Sequence, residues 1–120
     1  MDNRLGQERI EAYFKTFNSG DEAGHTALLD PDVVFFGSGS GDAVGLVALH
    51  GVYQAAKNSL DFLEMHPLEI FGIHPEMAAR VEFRGRTKRF QAIVVFRFDE
   101  AGIIRRLSVI YNLKEAFATS

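Results

Sequence analysis

Apolar residues between Val81 and Asn112 alternate in two directions at once. Val81, Phe83, Phe90, Ala92, Val94, Phe96, Phe98, Leu107, Val109 and Tyr111 fall on one side. Ile93, Val95, Ile104 and Ile110 fall on the other, among Arg97, Arg106 and Ser108. A period of two predicts strands. Three such runs joined by short turns predict an antiparallel sheet, and apolar residues on both faces require cover on both. The turn Asp99-Glu100-Ala101-Gly102 predicts Phe98 opposite Ile103, and hence Phe96 opposite Arg105, Val94 opposite Leu107 and Ala92 opposite Val109. Phe83 opposite Phe90 extends the same face into the preceding strand.

The earlier chain changes period. Ile10, Tyr13, Phe14 and Phe17 recur at helical spacing and predict a helix over 4–18, ended by Asn18-Ser19-Gly20. Asp21 is a candidate cap for a second helix through Leu29. Asp30-Pro31-Asp32 reads as a turn before a short strand, Val33–Phe36. The four glycines of Gly37–Gly45 predict a mobile loop. Val52–Met65 predicts a third helix, with Val52, Ala55, Ala56, Leu60 and Leu63 on one side. Leu68–Ile73 and Ala78–Arg84 read as strands about a turn at His74-Pro75-Glu76. Helices gathered on one face of an antiparallel sheet mean an α+β class, here as one domain over 1–120.

Composition narrows the function. The chain has 120 residues, and its net charge of -3 leaves no basic stripe for nucleic acid. Its basic cluster, residues 84–89, falls on a predicted hairpin tip, where solvated charge is the simpler account. There are no cysteines, hence neither disulfides nor thiolate metal sites, which is compatible with a cytoplasmic location. No segment reads as membrane-spanning. His25, His50, His66 and His74 show no metal-ligand spacing, so neither metal nor other cofactor is expected. His50 and His66 flank the third helix, as capping or surface groups or as acid–base groups at a cavity mouth.

Tyr13-Phe14-Lys15-Thr16-Phe17-Asn18-Ser19-Gly20-Asp21, Leu28-Leu29-Asp30-Pro31-Asp32-Val33, Gly51 and the Val81–Tyr111 block together resemble the nuclear transport factor 2-like superfamily. Within it they resemble the ketosteroid isomerase-like and SnoaL-like branch. The resemblance implies a cone-shaped, cystatin-like fold, with three N-terminal helices packed on a curved antiparallel sheet. That fold hosts isomerases, cyclases, dehydratases and binding modules alike. Ketosteroid isomerase, a standard example of tuned acidities, uses an Asp base and an oxyanion site of Tyr and protonated Asp. By position, Tyr13 retains the tyrosine, while Val94 and Gly37 stand where the two acids would be.

Two classes of function follow. In the first, Phe17, Phe35, Tyr53, Phe83, Val94, Phe96, Leu107, Val109 and Tyr111 line a cavity for a small hydrophobic molecule. Tyr13 polarises its carbonyl, and Asp42 or a histidine moves a proton. The bland alternatives are a core tyrosine and a solvated loop aspartate. In the second class the domain is a binding or accessory module without chemistry. Either way the outer face, with Ile93, Val95, Arg97, Arg106 and Ile110, is expected to form a homodimer. For Glu82, Arg97 and Arg106 the alternative is a solvated, paired fringe.

Overall fold

The computed structural model describes residues 3–37, 41–60 and 62–111. In chain order they form α1 (Asn3–Ser19), α2 (Glu22–Thr26), β1 (Leu29–Gly37), β2 (Gly41–Val44), α3 (Leu46–Leu60), β3 (Phe62–Ile73), β4 (Glu76–Gly85), β5 (Arg89–Phe98) and β6 (Ile104–Tyr111). The strands make one six-stranded sheet ordered β2-β1-β6-β5-β4-β3. Helices packed on this curved sheet give the α+β class that the sequence predicts. One pairing departs from the antiparallel expectation, since β1 runs parallel to β6.

Helix α1 buries Ile10, Tyr13 and Phe14. It ends where Gly20 takes φ 73, a conformation that glycine adopts without a Cβ penalty. The Asp21 carboxylate then accepts from Gly24 N–H at 3.0 Å and caps α2. α2 stops at Thr26 rather than at Leu29, because the next residues are captured by the sheet. Ile104 N–H donates to Leu28 C=O at 2.9 Å, and Leu29 pairs with Ile104. Asp30-Pro31-Asp32 lies inside β1, not before it. Its turn chemistry survives as a local irregularity, with Asp32 N–H donating to the Asp30 carboxylate and the register to β6 shifting between Leu29 and Val34.

The glycine segment differs from the predicted loop. Gly37 pairs with Gly41 and Phe36 with Asp42, so β2 folds back on β1 as a hairpin. Ser38, Gly39 and Ser40 lie outside the described residues. α3 begins six residues before the predicted Val52. Gly45 at φ 92 turns the chain, its carbonyl accepts from Leu49 N–H, and Leu49 is fully buried. Gly51 therefore sits within the helix. The expected contribution of Leu60 and Leu63 to its apolar side falls outside the described side chains.

β3 starts at Phe62 rather than Leu68. Asn18, read as a helix terminator, also fixes this strand: its side chain donates to Met65 C=O at 2.7 Å and accepts from Met65 N–H at 2.9 Å. Phe83 faces Phe90 as predicted, with ring centroids 4.9 Å apart.

The β5–β6 register is two residues off the prediction. Phe96 faces Leu107, Val94 faces Val109 and Ala92 faces Tyr111. The turn is closed by Asp99 N–H to Ile103 C=O at 2.9 Å, with Gly102 at φ 85. Phe98 pairs with Ile104 but Arg97 with Arg106, which leaves Arg105 as an extra, bulged residue. The bulge also corrects the assignment of Ile104 to the outer face: Ile104 is fully buried in the core.

Candidate functional site

Tyr13 on α1 and Tyr53 on α3 approach over the inner sheet face until their hydroxyl oxygens lie 2.6 Å apart. The Tyr53 hydroxyl is also 3.1 Å from His25 Nε2, and His25 Nδ1 is 2.9 Å from Thr16 Oγ1. Thr16 sits one turn beyond Ala12, whose carbonyl is 2.8 Å from the same hydroxyl. Gly20 and the Asp21 cap cause this arrangement. They fold α2 back along α1 and bring His25 beside Tyr13, with ring centroids 4.6 Å apart. Four side chains from three helices thus form one hydrogen-bonded run.

The run separates two spaces. On one side is an apolar cavity of about 30 Å³ lined by Tyr13, Phe35, Val52, Tyr53, Ala56, Met65, Phe83, Val94, Val109 and Tyr111. On the other is an open cleft of about 210 Å³ bounded by Thr16, Phe17, His25, His50, Tyr53 and Lys57, with Asp21 and Glu22 at its edge. Tyr53 borders both. The Lys57 ammonium lies 4.8 Å from the centroid of the Phe17 ring.

Burial sets the charge states. It pushes His25 down to about 4, opposed by the Tyr13 backbone and Asp21 and assisted by His50, so the imidazole is neutral near pH 7. Burial likewise raises Tyr13 above the ordinary phenol value, an effect that the Tyr53 hydrogen bond partly offsets. Tyr53 is raised by burial and then by Tyr13. The arrangement holds two neutral phenols and one neutral imidazole in contact, a set suited to donating, accepting or relaying a proton.

Of the residues expected to line a cavity, Phe35, Tyr53, Phe83, Val94, Val109 and Tyr111 border the apolar space. Phe17 instead walls the cleft. Phe96 and Leu107 are fully buried in the core and do not line it; the Phe96 ring meets Tyr13 edge-on at 5.2 Å. Asp42 does not fold over the cavity. It is exposed and paired with Phe36, while its neighbour Ala43 pairs with Phe35 on the inner side. Alternation therefore turns Asp42 to the outer face, away from Tyr13. His50 is exposed, with its ring 6.1 Å from that of Tyr53. His66 pairs with Glu64 on β3, and His74 stacks on Phe98 in the β3–β4 turn.

Sequence reasoning missed the roles of His25 and Thr16. Their sole signal is indirect: a histidine one turn after a capping aspartate, on a helix that a glycine folds back upon the Tyr13 face. On the outer face Ile93 and Val95 are half-buried, and Ile110, Arg97 and Arg106 are exposed. Arg97 bonds Glu76 at 3.4 Å, and Arg106 lies over the Phe36 ring at 5.3 Å. Among the described residues no cluster of three or more His, Asp or Glu side chains is placed to hold a metal ion. No described helix is long and apolar enough to cross a membrane.

Comparison with known proteins gives a consistent picture. The SnoaL-like domain matches residues 10–107. No curated protein is significantly similar in sequence. Among solved structures, a provisional polyketide cyclase from Xanthomonas campestris superposes with a TM-score of 0.81 at 20% identity, over 97% of this chain and 96% of that one. An NTF2-like protein of unknown function from Burkholderia pseudomallei gives 0.78 at 17% identity, over 95% and 98%. TerC, co-crystallised with polyporic acid, gives 0.76 at 18% identity, over 90% and 92%. At these identities the likeness is one of fold.

Proposed function

The chain belongs to the SnoaL-like domain family, and on that premise we propose that it binds a small, largely apolar carbonyl or enol compound and moves a proton on it. The observation that carries this reading is the unbroken run from Tyr13 through Tyr53 to His25, apolar-walled at one end and opening on a cleft at the other. The phenols are the groups that would meet a ligand oxygen. The neutral imidazole is the proton acceptor. Phe35, Phe83, Val94, Val109 and Tyr111 supply the apolar walls. Val94 and Gly37 provide no carboxyl group, so the chemistry differs from the paired-aspartate isomerase route. The co-crystallisation of TerC with polyporic acid and the cyclase name of the Xanthomonas structure support a ligand of this kind. A cavity holding benzene has roughly 150 Å³. A ligand of that size would require α3 to move outward from the sheet.

A second reading, a non-catalytic dimeric binding or accessory module, draws support from the same small cavity of about 30 Å³. There the hydroxyl run only ties three helices together. Both readings include a homodimer through the face bearing Ile93, Val95, Arg97, Arg106 and Ile110, where apolar side chains lie among exposed charges.

Native mass spectrometry of the purified protein, followed by titration with polyporic acid, tests the proposal. A dimer that retains or takes up a small molecule, with binding weakened in Tyr53→Phe, supports the ligand reading. A monomer that retains nothing and ignores polyporic acid contradicts both the ligand and the dimer.

A further inference from the structure

The hydroxyl run has a direction, and the direction specifies what the apolar cavity can recognise. Thr16 has one hydroxyl proton and, within reach, two backbone carbonyls that can only accept: Ala12 at 2.8 Å and Tyr13 at 3.1 Å. A helical threonine donates to such a carbonyl. Its oxygen is then left to accept, and the partner on that side is His25 Nδ1 at 2.9 Å. A neutral imidazole carries one N–H. With Nδ1 protonated, Nε2 accepts from the Tyr53 hydroxyl at 3.1 Å, and Tyr53 in turn accepts from Tyr13 at 2.6 Å. Every proton in the run points away from the apolar cavity. What Tyr13 offers there is a lone pair.

The opposite direction needs Thr16 to abandon both carbonyls and Tyr13 to aim an unpaired O–H into an apolar cavity. A buried donor without a partner is the costlier arrangement. The depressed basicity of His25, which keeps the buried ring neutral, agrees with the single N–H that this count requires.

We infer that the site is built for a ligand that donates a hydrogen bond, a phenol or an enol, and that the run draws the ligand's proton toward His25. The inference deepens the proposed function and rests on its premise that a ligand occupies the space beside Tyr13. In the transfer the ligand O–H bond breaks as a new Tyr13 O–H bond forms. The original Tyr13 proton passes to Tyr53, and the Tyr53 proton passes to His25 Nε2. The products are a ligand oxyanion and an imidazolium, and no proton is gained or lost overall. Because burial holds His25 at about 4, full transfer suits an acidic enol, whereas a simple phenol donates its hydrogen bond and keeps its proton. His25 borders the cleft and can release its proton to solvent there. Thr16 acts through His25 as a positioning residue, since its occupied proton fixes the imidazole tautomer.

Long-range proton–nitrogen NMR of the histidine side chains at pH 7.5 reads the tautomer directly, and titration with phenol and benzaldehyde reads the preference. We expect His25 in the Nδ1–H form and phenol bound at least about tenfold more tightly than benzaldehyde, the effect of one buried hydrogen bond. Thr16→Ser keeps both results. Thr16→Val lowers the Nδ1–H population and narrows the preference severalfold, and Tyr13→Phe abolishes the preference. An Nε2–H form in the unaltered protein overturns the inference before any ligand is added and without recourse to variants. Nδ1–H with benzaldehyde preferred overturns it as well. Failure of both probes to bind while His25 is Nδ1–H removes instead the premise of a ligand site, and the two failures are thereby told apart.

Discussion

The two faces of the sheet use polar groups in opposite ways. On the inner face, polar side chains are few, sheltered and joined in series: Tyr13, Tyr53, His25 and Thr16 each depend on the next. On the outer face, charges lie at the solvent edge in small local ion pairs, as in Arg97 with Glu76, Arg80 with Glu69, and the half-buried Glu82 shared between Arg84 and Arg89. Water screens the second arrangement, so any one pair contributes little. The first is shielded from water, and removing one link strands its neighbours. The same β5 strand serves both, with Val94 turned inward and Arg97 outward. Mutational cost is therefore expected to depend on the face far more than on the residue type.

The largest effect belongs to the inner core. Phe96→Ala empties the space between Tyr13 and Phe14 and should cost about 3–5 kcal/mol by chemical denaturation; a loss below 1 kcal/mol would erase the contrast between the faces. Tyr53→Phe leaves two buried polar groups without their shared hydroxyl. The expected cost is roughly 1–3 kcal/mol, with a downward shift in the midpoint of urea unfolding. Acidification sharpens the comparison further. Burial lowers His25 to about 4 in the folded chain against 6.5 when unperturbed, with the Tyr13 backbone and Asp21 opposing the shift and His50 adding to it. Between those values the unfolded chain holds a proton that the folded chain lacks. Stability is therefore complete above pH 6.5 and falls as pH drops toward 4, by roughly 2 kcal/mol after allowing for screening at the cleft. In His25→Gln that part of the pH dependence should vanish, while the carboxylate part at lower pH persists. The smallest effect lies outside: Arg106→Ala should change monomer stability by less than about 0.5 kcal/mol, partly because it relieves the directly opposed Arg97. A large loss there would mean that the outer charges, too, act in series.

Much of the fold was legible because local chemistry and periodicity agreed. Phe83 opposite Phe90 followed from a short hairpin, and α1 from an uninterrupted apolar stripe. The β5–β6 register was not legible, since two backbone irregularities, at Gly102 and Arg105, each displace pairing by one residue. The sequence did carry a trace of the error: the predicted register set Arg105 against Phe96, a charge against the most buried ring of the strand. The predicted start of the third helix at Val52 came late, because Gly45 supplies the turn and Leu49 the buried anchor. At the site, Tyr13 and Tyr53 could be read from their apolar surroundings. His25 could not, because its partners Thr16 and Tyr53 are nine and 28 residues away in sequence and meet only once α2 folds back on α1.

The central claim, that the Tyr13–Tyr53–His25 run is where a ligand meets this protein, can be tested by NMR of the three tyrosines labelled at Cζ. All three, Tyr13, Tyr53 and Tyr111, border the apolar cavity. Addition of phenol should shift the Tyr13 resonance most, Tyr53 next and Tyr111 by direct contact, with saturation at a single affinity. Saturable phenol binding that leaves Tyr13 and Tyr53 unmoved would contradict the account.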